Sequence, residues 1–274
     1  MSAEHIASQI YENFAFEPTP AQKNAIERLG GFLCGDAQDR IFILNGYAGT
    51  GKTSLIAALV KTLSGLRVRT ILLAPTGRAA KVMSRYAGAK AYTIHKKIYR
   101  QKSLASEDAS FSLDYNKEKG AVFIVDESNY SSDGSIFGSG QLLEDLIAYI
   151  RKGCDCRLIV VGDSAQLPPV GHDGSPALDP QKMSVYGTAE AALLDDVVRQ
   201  EADSGILFNA TLVRCMLEAG IIDIPLFDTS FDDVEAVDGG DILEAIQGAY
   251  DRYGMEETIV ITRSNKRANR FNEA

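Results

Sequence analysis

Residues 46–53 combine the residue types that hold a polyphosphate, in the order Gly-Tyr-Ala-Gly-Thr-Gly-Lys-Thr. Their spacing fits the pattern G-x-x-x-x-G-K-[ST] of a phosphate-binding loop. Glycines give the backbone conformations that are closed to other residues, so that successive N–H groups can point inward at the phosphates. Lys52 would then reach the β- and γ-phosphates, and the Thr53 hydroxyl would ligate Mg²⁺. The pattern predicts that the chain binds a nucleoside triphosphate through Gly46, Gly49, Thr50, Gly51, Lys52 and Thr53.

Two elements must position this loop. The apolar run at 41–44 is rich in β-branched residues and predicts a buried strand before the loop. The apolar pattern at 55–60 predicts a helix after it. Because the N-terminus of a helix carries positive partial charge, this helix adds to the attraction for phosphate.

Three further apolar runs, at 68–74, 121–125 and 157–161, each predict a buried strand with polar residues at its carboxyl end. Ligands of open α/β sheets bind at that edge. Two carboxylates at the end of a buried strand need a cation or donors to satisfy them. We therefore expect Asp126 to hold the Mg²⁺ and Glu127 to polarise the attacking water. The alternation of strands and helices predicts an α/β fold with a mostly parallel sheet.

Three other polar residues are candidates with an ordinary alternative. Gln22 lies just inside a predicted helix that Thr19 caps. Its amide could hydrogen-bond the edge of an adenine, or Gln22 could be an ordinary residue on the helix surface. Gln166 follows the strand at 157–161 and suits either a γ-phosphate sensor or a polar turn. Arg199 suits either the γ-phosphate or an ion pair.

The distribution of charge indicates a second anionic partner. The chain carries a net charge of -9, yet residues 40–102 hold 13 Lys or Arg and no Asp or Glu, against 15 basic and 37 acidic residues elsewhere. Several of these cations lie well beyond the phosphate loop, which favours a second polyanion. Segment 92–100 interleaves tyrosines with cations, as suits single-stranded nucleic acid, although an amphipathic basic helix has the same pattern.

Other features exclude some classes of protein. The four cysteines are scattered without zinc-ligand spacing. The sequence shows no N-terminal apolar leader and no apolar run near 18 residues, so we expect a cytoplasmic protein with reduced thiols and no membrane contact. The segment 101–119 is polar and predicts an inserted hairpin.

The last part of the chain is less informative. Helical patterns are predicted at 140–151, 206–217 and 240–253, and a strand at 257–262 leads into a final helix pattern that the chain leaves unfinished at Ala274. We expect a truncated chain on this ground.

Taken in order, the motifs resemble those of superfamily-one DNA helicases, in the RecD-like and Dda-like branch that moves 5′ to 3′ on single-stranded DNA. The string Gly162-Asp-Ser-Ala-Gln-Leu-Pro-Pro-Val170 is the most discriminating of them. The resemblance covers about residues 15–200. The other matching motifs are Thr19-Pro-Ala-Gln22 for the Q motif, Gly46–Thr53 for Walker A, Ala74-Pro-Thr-Gly-Arg-Ala-Ala80 for motif Ia, Thr93-Ile-His95 for motif Ib, Val125-Asp-Glu-Ser128 for Walker B and Val198-Arg199-Gln200 for the motif IV arginine.

This resemblance implies an ATP hydrolase with a RecA-like domain at 1–200, a wedge inserted at about 101–119, and linking helices with the start of an incomplete second RecA-like domain at 201–274. It implies that Gln22 reads adenine and that Gln166 and Arg199 contact the γ-phosphate. The implied catalytic set is Lys52, Glu127, Gln166 and Arg199, and the implied DNA-binding set is Thr76, Arg78, Thr93, His95 and Lys96.

The later motifs of that family would lie beyond Ala274. We therefore expect this chain to bind nucleotide weakly and neither to hydrolyse ATP quickly nor to unwind DNA, and we expect a monomer. Two other functional classes stay open at this point. One is a RecD-like subunit of an exodeoxyribonuclease complex, in which partner subunits supply the nuclease. The other is a P-loop regulatory ATPase without DNA activity, against which the acid-free basic block speaks.

Overall fold

The structure is a computed structural model that describes most of the chain. The described residues are 2–35, 40–101, 111–126, 142–166, 175–196 and 204–273. They separate into two compact units, residues 1–200 and 201–274.

A parallel sheet lies at the centre of the first unit. The strands among the described residues are β1 (Arg40–Gly46), β2 (Thr70–Ala74), β3 (Ala91–Thr93), β4 (Tyr99–Gln101), β5 (Phe111–Leu113), β6 (Val122–Asp126), β7 (Arg157–Gly162) and β8 (Thr188–Leu194). Six of them form one sheet in the order β3-β2-β6-β7-β1-β8, with parallel neighbours throughout. The predicted α/β fold is confirmed, and the carboxyl ends of all six strands share one edge.

Helices cover the sheet and connect its strands. The α-helices that the structure describes in the first unit are α1 (Ala3–Asn13), α2 (Pro20–Cys34), α3 (Lys52–Gly65), α4 (Gly77–Ala87), α5 (Ile94–Ile98), α6 (Leu142–Arg151) and α7 (Pro180–Met183). The α2 helix begins with the predicted signal, since Thr19 and Gln22 form a capping box and Pro20 occupies the first turn.

Two apolar cores lie on opposite faces of the sheet, because successive side chains of a strand point to opposite sides. Phe42 and Leu44 of β1 join the core that α1 to α4 cover. Ile41 and Ile43 of the same strand join the core that α5 and α6 cover. Burial on both faces explains why the central strands are almost continuously apolar in sequence.

The predicted inserted hairpin starts slightly earlier than expected. Strands β4 and β5 pair antiparallel, with Tyr99 opposite Leu113 and Gln101 opposite Phe111. Residues 102–110, on which the centre of the predicted wedge falls, lie outside the described residues.

Two strands were not predicted. Strand β8 has the sequence Thr-Ala-Glu-Ala-Ala-Leu-Leu, whose alanines and glutamate favour a helix. It is nevertheless extended, because all seven of its residues pair with β1. Strand β3 has only three residues and depends on its pairing with β2.

The second unit contains α8 (Gly205–Glu218), α9 (Ile242–Tyr253) and α10 (Asn265–Glu273). Ser204 is the N-cap of α8, and the Asp233 carboxylate adds to this cap by accepting hydrogen bonds from Ser204 Oγ at 2.8 Å and Gly205 N at 2.7 Å. The strand predicted at 257–262 is wrong. Among the described residues, this segment pairs with no strand of either sheet. Its side chains at Ile259 and Ile261 are exposed, so they do not contribute to an apolar core either.

Within the described ranges, no helix is both long enough and apolar enough to cross a bilayer.

Candidate nucleotide and nucleic-acid site

The phosphate loop connects β1 to α3, as its sequence predicts. Gly49 and Gly51 have φ angles of 79° and 84°, in the left-handed region that residues with a Cβ rarely adopt. Gly46 is needed for a different reason, since an added Cβ would lie 2.9 Å from both Leu194 Cβ and Thr50 Oγ1. The buried Thr50 donates its hydroxyl to the Tyr47 carbonyl at 2.7 Å, which closes the loop.

Lys52 lies at the first turn of α3 with its ammonium directed back over the loop. Its Nζ donates to the carbonyls of Gly46 and Tyr47, at 2.8 Å from the latter, and lies 3.8 Å from Asp163 Oδ2. Burial lowers the pKa of Lys52, while the carboxylates of Asp163 and Asp126 oppose that shift. A half-buried cation held by carbonyl oxygens is suited to exchange them for phosphate oxygens.

Two carboxylates stand at the carboxyl ends of the neighbouring strands β6 and β7. Asp126 pairs in register with Val161, two residues before Asp163. The Tyr86 hydroxyl of α4 lies 3.5 Å from Asp126 Oδ2, and burial together with this carboxylate raises the pKa of Tyr86. Asp163 is buried and accepts a hydrogen bond from Ala165 N at 2.9 Å.

The residues present fit a magnesium ion that the nucleotide brings with it. Asp126 and the exposed Thr53 supply a carboxylate and a hydroxyl, both hard oxygen ligands. In the part of the chain that the structure describes, no group of three or more His, Cys, Asp or Glu forms a dedicated metal cage. Magnesium at phosphate sites is commonly held by one or two carboxylates and the phosphates themselves, so the absence of a cage is compatible with this ion.

Gln22 lies beside the loop but is buried, with only 1% of its surface exposed. Its Oε1 accepts from Thr19 N at 3.0 Å, and its Nε2 donates to Thr50 O at 2.9 Å. The amide therefore links the start of α2 to the phosphate loop. One N–H and one lone pair remain, and reading an adenine with them requires that the neighbouring groups uncover the amide.

Replacing Gln22 with Ala is expected to weaken the binding of ATP and GTP alike, by about fivefold to tenfold, since the loop loses a buried hydrogen bond at Thr50. Displacement of a fluorescent ADP analogue by each nucleotide measures this effect. Thr19→Ala is the matched control, because it removes only the helix cap. A loss confined to ATP would contradict this expectation and assign the amide to adenine.

Gln166 follows β7 and is exposed at the same edge as the phosphate loop. Its backbone N donates to the Asp163 carbonyl at 3.2 Å, which shapes the turn that carries it. Glu127 and Arg199, the other predicted catalytic residues, lie outside the described residues, as do residues 167–170 and 198–200 of the predicted motifs.

The predicted DNA-binding residues gather at the ends of β2 and β3, which are neighbouring strands with Ala74 opposite Thr93. Thr76 caps α4 by accepting from Ala79 N at 3.2 Å, and Thr93 caps α5 by accepting from Lys96 N at 3.3 Å. Three further side chains of this set are exposed: Arg78, His95 and Lys96. The His95 ring lies 5.7 Å from that of Tyr99.

Lys97 differs from its neighbour Lys96. Its Nζ lies 2.9 Å from Glu118 Oε1, and Glu118 also pairs with Arg69 at 3.4 Å. Burial raises the pKa of Glu118, but the two cations outweigh it and bring the pKa below its usual value. Lys97 thus serves an internal ion pair, and the segment 92–100 divides between surface cations and structural ones.

Sequence reasoning missed two contacts of the site. Tyr86 beside Asp126 gives no signal in sequence, because it is one aromatic residue among the apolar positions of α4. Asn45 directly precedes the loop and forms two hydrogen bonds with Ser164. A polar residue ending an otherwise apolar strand was a signal for the second contact.

A glycine-rich loop between a strand and a helix, with Lys52 at its end and carboxylates at the ends of β6 and β7, defines a P-loop nucleoside triphosphatase domain of the RecA-like α/β type. More specifically, the chain belongs to the AAA_30 family of AAA domains, whose model matches residues 18–214.

Three relatives share parts of this chain. It is 30% identical to the ATP-dependent RecD2 DNA helicase of Deinococcus radiodurans over 196 residues, which are 69% of this chain and 24% of that protein. It is 36% identical over 157 residues to an uncharacterised protein of Methanocaldococcus jannaschii, covering 52% of this chain and 12% of that protein. It is 33% identical over 131 residues to the ATP-dependent DNA helicase dda of Enterobacteria phage T4, covering 46% of this chain and 28% of that protein.

The chain thus spans between about an eighth and about a quarter of the length of these relatives. Two of them are the RecD-like and Dda-like helicases that the motifs resemble, so the predicted resemblance is confirmed.

Proposed function

We propose that this chain is the ATP-hydrolysing domain of a DNA helicase or translocase, which couples hydrolysis to 5′ to 3′ movement on single-stranded DNA. The observation that carries the proposal is the shared carboxyl edge of the sheet. The phosphate loop follows β1 at that edge, and the hydroxyls and exposed cations of the predicted DNA-binding set lie at and beyond the ends of β2 and β3. The direction of movement rests on the similarity to the RecD2 and Dda helicases.

The order of the strands supports a coupling between the two sites. Strands β6 and β7 lie between β1 and β2, so these two are three strand spacings apart, roughly 14 Å. The intervening strands end in Asp126 and in the turn that carries Gln166. Groups that touch the nucleotide therefore stand between it and the nucleic-acid edge, and a shift at one site has a short contiguous path to the other.

Binding of ATP would begin at the loop. The backbone N–H groups around Gly49 and Gly51 and the positive end of α3 attract the phosphates. Lys52 exchanges its contacts with Gly46 O and Tyr47 O for oxygens of the β- and γ-phosphates. Asp126 and Thr53 would hold Mg²⁺, which neutralises charge that develops on the phosphates during transfer.

Hydrolysis would then proceed by in-line attack of water on the γ-phosphorus, which breaks the bond from that phosphorus to the β–γ bridging oxygen and leaves ADP and phosphate. In this proposal Glu127 accepts the proton of the attacking water. Arg199 and Gln166 contact the γ-phosphate, and release of that phosphate removes their partner. Without this partner, the turn that carries Gln166 changes position. This movement in turn changes how tightly the chain holds DNA.

The grip itself would combine the two helix caps with the surface cations. Thr76 and Thr93 lie at helix N-termini, where backbone N–H groups and the helix dipole favour phosphate. Arg78 and Lys96 add charge, and the exposed His95 presents a ring on which a base can stack.

The test is ATP turnover by the full-length protein. Turnover is expected to rise several-fold when oligo-dT is added, because DNA binding and hydrolysis share one edge of the sheet. Lys96→Ala is expected to raise the oligonucleotide concentration needed for half of this effect. It should also reduce the slope of log affinity against log salt by about 0.7, the loss of one phosphate contact on a single strand.

Lys97→Ala is the matched control, since its ammonium faces Glu118. It should leave the salt slope unchanged and instead lower the free energy of unfolding, by about 1 kcal/mol or less. Equal turnover with and without oligo-dT would contradict the motor function. Equal slopes for Lys96→Ala and wild type would move the DNA-binding face elsewhere.

A further inference from the structure

The last residue before the phosphate loop is tied to the turn that follows β7. Asn45 Nδ2 donates to Ser164 Oγ at 3.0 Å, and Ser164 N donates to Asn45 Oδ1 at 3.0 Å. The nitrogen and the oxygen of the Asn45 side-chain amide thus both form hydrogen bonds with Ser164. Asn45 immediately precedes Gly46, and Ser164 lies between Asp163 and Gln166.

This tie is additional to the pairing of the strands. Strands β1 and β7 already pair in parallel up to Asn45 and Gly162, where the ladder ends. Backbone hydrogen bonds therefore fix β7 as far as Gly162 without any help from the Asn45 side chain. The amide acts on the residues beyond the ladder, which are those that lead to Gln166.

The turn has few other fixed points. Asp163 accepts from Ala165 N at 2.9 Å and from Gln166 N at 3.2 Å, so these contacts shape the turn internally. Within the described part of the chain, the turn is connected outward by the 3.8 Å approach of Asp163 Oδ2 to Lys52 Nζ and by the Asn45 amide. Since Lys52 must move to bind phosphate, Asn45 is the connection that can persist through the nucleotide cycle.

We propose that Asn45 is a positioning residue, which holds the turn at Ser164 against the phosphate loop so that Gln166 meets the γ-phosphate. The inference rests on the proposed function, in which Gln166 contacts that group. It assigns to Asn45 no contact with the nucleotide. Through this contact, the position of Gln166 depends on the carboxyl end of β1, from which the phosphate loop also starts.

The test compares the affinity for ATPγS with that for ADP, measured by displacement of a fluorescent ADP analogue in the presence of Mg²⁺. The ratio of the two affinities reports the γ-phosphate contact and requires no turnover. Asn45→Ala is expected to reduce this ratio by about threefold to tenfold, because two hydrogen bonds to the turn are lost. The affinity for ADP should stay within about twofold of wild type, since that ligand lacks the group that Gln166 meets.

Two further variants grade the effect. Ser164→Ala removes the Oγ acceptor but keeps the backbone donor, so a smaller reduction of the ratio is expected. In the Gln166→Ala background, Asn45→Ala should add nothing, because residues that act through one contact are not additive. Asn13→Ala is the control, since Asn13 Nδ2 donates to Thr62 Oγ1 at 3.0 Å in a similar tie that is remote from the turn.

The inference is overturned if Asn45→Ala lowers the affinities for ADP and ATPγS equally, leaves both unchanged, or adds fully to Gln166→Ala. These results differ from a failure of the proposed function itself. If the full-length wild-type protein bound neither nucleotide, or did not distinguish them, the γ-phosphate site would be absent and both proposals would fall together.

Discussion

Replacing Lys52 with methionine is expected to lower the rate of ATP hydrolysis by a factor on the order of 10²–10³, the loss that follows removal of one preorganised electrostatic contact to a transition state. Methionine has a similar length and keeps the apolar stem of the side chain, but it brings no charge to the phosphates. Nζ already stands at the centre of the loop, 2.8 Å from the Tyr47 carbonyl.

Turnover of the full-length protein at saturating Mg·ATP measures the change. The control is Lys61→Met, which makes the same substitution on the exposed side of the same helix. It should leave turnover unchanged. Hydrolysis by Lys52→Met within about tenfold of wild type would contradict the assignment of Lys52 to the γ-phosphate.

The same variant has a structural consequence that must be separated from its chemistry. Asp163 is buried, and Lys52 is the cation 3.8 Å from its Oδ2. A buried carboxylate that loses a charged partner is destabilised, so the unfolding transition should move to lower denaturant concentration. Far-UV circular dichroism at the assay temperature establishes that the variant is folded when turnover is measured.

The central strands were predictable because burial on both faces leaves a continuous apolar run. Strands β1, β2, β6 and β7 have this property, and each was recognised in sequence. The start of α2 was predictable for a local reason, since its capping box lies within four adjacent residues. Features that depend on a residue and its near neighbours were therefore accessible from the sequence alone.

Features that depend on distant partners were not accessible. Strand β8 is rich in alanine and becomes extended only because β1 pairs with it along its whole length. Lys97 resembles Lys96 in sequence, but it pairs with Glu118, which lies 21 residues further along the chain. The prediction at 257–262 failed for the converse reason. The composition of this segment favours a strand, but none of the described segments pairs with it.

The site was predicted at the level of residue types more fully than at the level of contacts. The phosphate loop, Asp126 and Gln166 do meet at one edge of the sheet, because parallel strands bring their carboxyl ends together. That the Gln22 amide contacts Thr50 could not be inferred, since the contact depends on how closely α2 approaches the loop. The roles of these residues toward nucleotide stay predictions, and the variants at Gln22, Asn45 and Lys52 test them separately.

Replacing Asp126 with asparagine is expected to remove the dependence of nucleotide affinity on Mg²⁺. The substitution keeps the shape of the side chain and one oxygen, but removes the charge that a hard cation prefers. Wild type should bind ATPγS more tightly with Mg²⁺ than with EDTA, whereas Asp126→Asn should show nearly the same affinity in both. Turnover should fall by a factor on the order of 10²–10³, because charge on the transferring phosphoryl group loses its counter-ion.

Asp155→Asn is the control for the chemical change itself. Asp155 is exposed and has a φ of 53°, a left-handed conformation that asparagine tolerates, so the same substitution there should be silent. A second expected result distinguishes the loss of a metal ligand from the loss of a negative charge near Lys52. The Asp126 carboxylate opposes the lowering of the Lys52 pKa, so its removal should lower that pKa further. Asp126→Asn should therefore lose more affinity for ATPγS at alkaline pH than wild type does, even in EDTA. If Mg²⁺ still tightened binding in this variant to the wild-type extent, the ion would be held by other residues, and Asp126 would act only on Lys52.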